Sequence, residues 1–139
     1  MHLNLLYIIL IIALCFPSCR SERNSDYKNT IWEDFKKALE NKNTSFLIEN
    51  SLDSIKCIDC VEGQNEKLQF NKFIFQNHLK QLYNVGLLKE KEYSNYITDS
   101  MIRINYSFKD LTINESYSII YMFDKVNNKY LFTGMITVP

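Results

Sequence analysis

Charge of one sign is missing from this chain: Lys plus Arg is 16 and Asp plus Glu is 16, so the formal net charge is zero. No basic excess exists to hold a phosphate backbone, which disfavours generic nucleic-acid binding. Gly and Pro are scarce, at 3 and 2 of 139 residues, about 4% together against roughly 12% in average usage. Collagen-like, glycine-linker and proline-rich classes are thereby excluded. His is nearly absent, with 2 in the whole chain, so a zinc site built from the Cys and His present runs short of ligands. Aromatic residues, by contrast, reach 14%, too many for an intrinsically disordered chain. A length of 139 residues suits one domain.

Apolar runs of membrane-spanning length are also absent. Leu5 to Phe16 (LLYIILIIALCF) is unbroken, within the roughly 7 to 15 residues of a signal-peptide core and short of the roughly 17 to 25 of a spanning helix. Phe16-Pro17-Ser18-Cys19 follows and resembles the lipobox of bacterial lipoproteins, in which a small residue precedes the Cys that takes diacylglycerol and becomes the new N-terminus. Ser18 fills the small position; Phe16 and Pro17 stand where the family has Leu and Ala, Ser or Thr. The resemblance implies that residues 1–18 are a removed signal peptide and that Cys19 is lipidated. It also makes the membrane a partner through the lipid anchor, with the chain facing periplasm or exterior. Several acyl chains on one Cys anchor far more firmly than one. The alternative is an ordinary cleaved signal with an incidental Cys. Residues 20–29 (RSERNSDYKN) show no apolar periodicity, so 19–29 reads as lipidated Cys and tether ahead of a single domain over 30–139.

Within that domain Thr30-Ile31-Trp32-Glu33 has the spacing of a capping box, and Ile31, Trp32, Phe35, Ala38 and Leu39 recur at helical spacing. Thr44-Ser45 can cap a second short helix carrying Phe46, Leu47 and Ile48, and a strand is expected over Leu52 to Cys57. Asn71 to Tyr83 reads as another helix with Ile74, Phe75, Leu79, Leu82 and Tyr83 on one side, stopped by a left-handed Gly86. Leu87 to Thr98 fits neither period and reads as a connector.

The C-terminal third alternates. Ile102, Ile104, Tyr106 and Phe108 share one strand face; Tyr117, Ile119, Tyr121 and Phe123 share the next. A two-residue turn at Asn127-Asn128 tolerates positive φ. Folding about it pairs Phe123 with Phe132, Tyr121 with Gly134, Ile119 with Ile136 and Tyr117 with Val138, with Gly134 making room for a Tyr. The expected fold class is therefore α+β: two or three N-terminal helices packed on a curved antiparallel sheet of about four strands. This element order resembles the nuclear transport factor two-like (cystatin-like) cone, a family that hosts enzymes and non-catalytic ligand-binding modules alike.

Cys57-Ile58-Asp59-Cys60 is the sharpest chemical feature. In an exported chain the two thiols are expected to form a disulfide, and because three residues of straight strand span roughly 10 Å while a disulfide needs Cα atoms within about 7 Å, the chain must turn at Ile58-Asp59. The alternative is a thiol-disulfide redox site using Cys57 and Cys60. His78, on or beside the apolar arc of its helix, reads as a partly buried histidine with one hydrogen-bond partner. With Tyr106 and Tyr121 it is the alternative lining of a pocket in a cone-fold enzyme or small-ligand-binding protein. No nucleophile motif accompanies it. No cofactor, no metal and no catalytic residue is expected. The functional reading is an exported, membrane-anchored lipoprotein acting as a non-enzymatic binding or structural module.

Overall fold

The computed structural model describes residues 22–64, 67–110 and 115–139 of the protein. The leader and Cys19 lie outside the described residues. Among those residues, no helix is long and apolar enough to cross a membrane. In chain order the elements are α1 (Glu22–Glu40), α2 (Thr44–Glu49), β1 (Ser51–Cys57), β2 (Leu68–Phe70), α3 (Asn71–Asn77), α4 (Leu79–Leu82), α5 (Val85–Leu88), β3 (Ser94–Ile97), β4 (Met101–Asp110), β5 (Glu115–Val126) and β6 (Lys129–Val138).

The sheet has six strands in the order β2-β1-β6-β5-β4-β3. Every neighbouring pair is antiparallel except β1 and β6. The first strand is thus laid beside the last, with α1 over β4, β5 and β6 and α2 against β1. Four strands were expected. The two additional ones, β2 and β3, are the edge strands, and segments of three or four residues are too short to display a period.

Helix α1 exists because one face can be buried whole. Trp32, Phe35, Ala38 and Leu39 recur at helical spacing and are all buried, while Glu33, Asp34 and Lys37 stay exposed. The helix begins at Glu22, so the tether expected over residues 20–29 is helical from that point. Thr30 does not cap it: its hydroxyl donates back to the Tyr27 carbonyl at 3.0 Å, the bond of a mid-helix threonine. What holds the early turns is tertiary. Lys28 Nζ donates to the Thr98 carbonyl at 3.2 Å and pairs with Asp99 at 2.9 Å, contacts that no local periodicity announces.

Helix α2 is capped by Asn43, whose side chain accepts from the Phe46 amide at 3.2 Å. The long helix expected over Asn71 to Tyr83 is broken at His78 (φ −128°, ψ 22°) into α3 and α4. The apolar residues named for it are nevertheless inward, with Ile74, Phe75, Leu82 and Tyr83 buried. Gly86 is not a left-handed stop; it sits inside α5.

The β5–β6 hairpin turns at Asn127 (φ 49°) and Asn128 (φ 64°) and pairs Phe123 with Phe132. Beyond that pair the expected register is one residue out. The ladder shifts between Met122 and Phe123, so Met122 faces Gly134, Tyr121 faces Met135, Ile119 faces Thr137 and Ser118 faces Val138. One extra residue on β6 at Thr133–Gly134 is a β-bulge. It turns Met135 into the core, where it is 3% exposed. Side chains hold it in place: Arg103 donates to the Phe123 carbonyl (2.8 Å) and to Asp124 (2.7 Å), and Asp124 accepts from the Thr133 hydroxyl at 3.0 Å.

Gly134 has φ +151°, and a Cβ there would lie 2.3 Å from the Lys56 carbonyl oxygen and 2.9 Å from Lys56 N and Cβ. Its need is close approach by the β1 backbone, with which it pairs, rather than space for a tyrosine ring. Gly134→Ala is expected to lower stability by about 3 kcal/mol through backbone strain and the clash with Lys56. Urea unfolding followed by far-ultraviolet circular dichroism measures it; a loss under about 1 kcal/mol contradicts the close crossing.

Candidate functional site

The interior under α1 is almost wholly aromatic. Trp32 lies over Tyr121 with ring centroids 4.7 Å apart and meets the edges of Tyr83, Tyr93, Tyr106 and Phe123 at 6.1 to 6.3 Å. Phe35, one turn on, contacts Phe132 at 4.7 Å and Phe123 at 5.2 Å. This packing carries polar atoms inward with the rings. The Tyr121 hydroxyl donates to the Leu82 carbonyl at 2.8 Å, Tyr83 donates to Glu40 at 3.3 Å, and Tyr93 donates to Glu33. The Tyr106 hydroxyl and Trp32 Nε1 are buried without a hydrogen-bond partner, a costly arrangement in a low-dielectric interior.

Burial is also what shifts the phenols. It pushes Tyr106 up to about 12, opposed in part by the neighbouring Trp32, while Glu33 and Glu40 add to the rise and Tyr83 lowers it slightly. Tyr83 and Tyr93 are raised well above the usual tyrosine range, again by burial first, and by the carboxylates they face. Tyr121 is raised by burial and then by Tyr106 and Tyr83.

A cleft of about 630 Å³ opens between the end of α1 and the α3–α5 segment. Leu39, Phe75, Leu79 and Tyr83 supply apolar surface, and Gln76, Asn77, Gln81 and Asn84 supply carboxamides. Glu40, Lys42 and Lys80 supply charges of both signs. Glu40 and Tyr83 line the cleft, so their hydrogen bond lies where the cleft meets the aromatic interior. That combination of apolar surface with a few convergent polar groups is the usual make-up of a small-molecule seat.

The residues singled out from sequence fall in three places. Tyr106 and Tyr121 are brought together, ring centroids 6.0 Å apart, but both are fully buried behind Trp32 and neither lines the cleft. His78 is half-buried at the α3–α4 break with its ring 5.0 Å from Phe73; its Nδ1 is buried without a partner, and it too is absent from the cleft lining, although Asn77 and Leu79 belong to it. Glu40, at the end of α1, and Tyr83, expected on the apolar side of its helix, are the pair at the cleft. Their meeting depends on the break at His78, and helical periodicity carries no sign of it.

Cys57 and Cys60 form a disulfide with Cα atoms 5.5 Å apart. The chain turns between them as the geometry required: Asp59 has φ 66°, and the Ile58 amide bonds the Met135 carbonyl at 3.1 Å. Both cysteines are buried, at 0% and 4% exposure, and thiol exchange needs an accessible sulfur. Among the described residues no group of three or more His, Cys, Asp or Glu side chains converges as a metal site would require.

No protein-family model matches the chain, and no curated protein matches it. Among solved structures, a substituted Rd1NTF2_05 chain superimposes with TM-score 0.53 at 12% identity, over 83% of this chain and 99% of the other. A DUF4783 family protein from Bacteroides uniformis gives TM-score 0.44 at 15% identity over 73% and 89%. An NTF2-like protein of unknown function from Mesorhizobium loti gives 0.40 at 10% over 88% and 94%. At the first of these likenesses the fold is NTF2-like, helices on a curved sheet, and identity so low speaks of fold alone.

The raised phenols make stability fall at alkaline pH. A tyrosine whose folded pKa exceeds its unfolded value holds its proton more tightly when native, so its contribution is complete below the unfolded value near 10 and is lost as pH climbs through the folded value. Denaturant midpoints are expected to be flat from about pH 7 to 9 and to drop between about pH 10 and 12. Tyr106→Phe should ease part of that drop; a flat midpoint up to about pH 12 contradicts the buried phenol cluster.

Proposed function

We propose that the protein is an exported, lipid-anchored, non-enzymatic binding module that seats a small ligand in the cleft between α1 and α3–α5. The observation carrying the binding role is the cleft itself, in which the Glu40–Tyr83 pair, apolar side chains and a set of carboxamides share one lining. Four carboxamides and two aromatic rings in one recess suit a ligand with hydroxyl or amide groups and little net charge. The export role is supported by the leader sequence ahead of Cys19 and by a disulfide between the remaining two cysteines, a bond at home in oxidising compartments. No proton transfer or nucleophile is asked of the cleft, and His78 stands outside its lining.

Two measurements test the two halves. Metabolic labelling with palmitate and intact mass of the membrane fraction should show loss of residues 1–18, acylation at Cys19 and the two-hydrogen deficit of the Cys57–Cys60 bond. An unlabelled product whose Cys19→Ala form fractionates identically removes the anchor. For the cleft, Trp32 is the sole tryptophan and its ring centroid lies 6.3 Å from that of Tyr83, so its emission reports on occupancy. The anionic dye 1-anilinonaphthalene-8-sulfonate should bind saturably and quench Trp32. Gly86→Glu is expected to weaken that binding about tenfold, roughly 1.4 kcal/mol, by placing a carboxylate in the cleft wall. A Cβ at Gly86 meets only the Asn84 side chain, at 3.5 Å, so the fold tolerates the change. Dye binding that is non-saturable, or indifferent to the substitution, rules the cleft out as the seat.

A further inference from the structure

One corner of the sheet gathers large apolar side chains in water. β2 is an edge strand, and Gln69 at its centre pairs with buried Ile55. Leu68 and Phe70 therefore point to the face away from α1, where they are 68% and 72% exposed. Phe70 is also the N-terminal cap residue of α3, and Phe73, in that helix's first turn, is 45% exposed. Lysines flank them in sequence and in register. Lys67 and Lys72 are exposed on either side in sequence, and Lys56 lies across the strand pair from Leu68. None of these lysines has an ion-pair partner among the described residues.

We infer that this corner is a lipid-contact surface, with Leu68, Phe70 and Phe73 entering the interface of an anionic bilayer and Lys56, Lys67 and Lys72 meeting its headgroups. Unpaired ammonium groups beside exposed aromatic and branched side chains match both layers of such an interface, acyl boundary and phosphate plane. A partner protein adding a strand fits less well. The edge offers three residues of backbone, too few for a stable pairing, and lysines are what sheets use to discourage strand addition. Sequence order alone hides the corner, because Lys56 joins it only through the β1–β2 register.

The surface does not depend on acylation at Cys19, and the test compares two edges of the same molecule. The full chain as purified from membranes is placed in phosphatidylglycerol–phosphatidylcholine vesicles whose acyl chains carry bromine, a short-range quencher of tryptophan. In the Phe70→Trp chain, the emission added by the new indole, taken as the difference from the unsubstituted chain, is expected to fall at least about twofold. Tyr96→Trp, at an exposed position on β3 at the opposite edge, and the buried native Trp32 should be unaffected. Adding Lys67→Glu and Lys72→Glu to Phe70→Trp should abolish the quenching, as should vesicles of phosphatidylcholine alone. Both substituted aromatic residues are exposed, so folding is preserved, and circular dichroism checks it. Equal quenching at the two edges, none at Phe70→Trp, quenching indifferent to the lysines, or a self-associated chain shielding the residue each overturns the lipid surface. Palmitate labelling reads the anchor separately.

Discussion

Seating of Trp32 and Phe35 in the concave face of the sheet is the interaction on which the rest depends. The two residues are about one helical turn apart and touch rings from β4, β5, β6 and α3, together with Tyr83 and Tyr93. Aromatic pairs at these separations contribute roughly 0.5 to 1.5 kcal/mol each beyond their area burial. Their larger effect here is geometric. A flat sheet presents no hollow for an indole ring, and the twist and bend of β6 at its bulge supply one.

That bend is maintained from both faces. Gly134 lets the β1 backbone pass where any side chain would collide with Lys56, and on the far side Arg103, Asp124 and Thr133 tie β4, β5 and β6 together around the irregularity. The disulfide sits at the end of the same β1–β6 pairing, beside Met135. Closing so short a loop removes little chain entropy, on the order of 2 kcal/mol in the loop model, so the bond acts as a local brace on the turn that follows β1.

A core made from tyrosines and a tryptophan also carries hydroxyl and indole N–H groups into low dielectric. Tyr83 and Tyr93 meet carboxylates on α1, and Tyr121 meets a backbone carbonyl. The two left over, Tyr106 and Trp32, are buried without a hydrogen-bond partner. The cleft thus borders the aromatic interior through the Glu40–Tyr83 bond, whereas the cationic apolar corner is built on β2 and the first turn of α3 and shares no lining residue with it.

Much of this architecture was legible in residue order. Period-2 alternation in β4, β5 and the start of β6, the Asn127-Asn128 turn, the inward face of α1 and the bent Cys57–Cys60 segment are local properties, because side-chain periodicity and turn conformation are set within a few residues. The early turns of α1, the break at His78, the one-residue slip after Phe132 and the two edge strands were decided by contacts far apart in sequence, such as Lys28 with Asp99 and Gly134 with Lys56. So were the cleft and the corner of exposed rings, since Glu40 meets Tyr83 and Lys56 meets Leu68 only after the chain has packed. Periodicity says which side of an element is buried; what lies across from it is chosen by the lowest-energy packing of the whole.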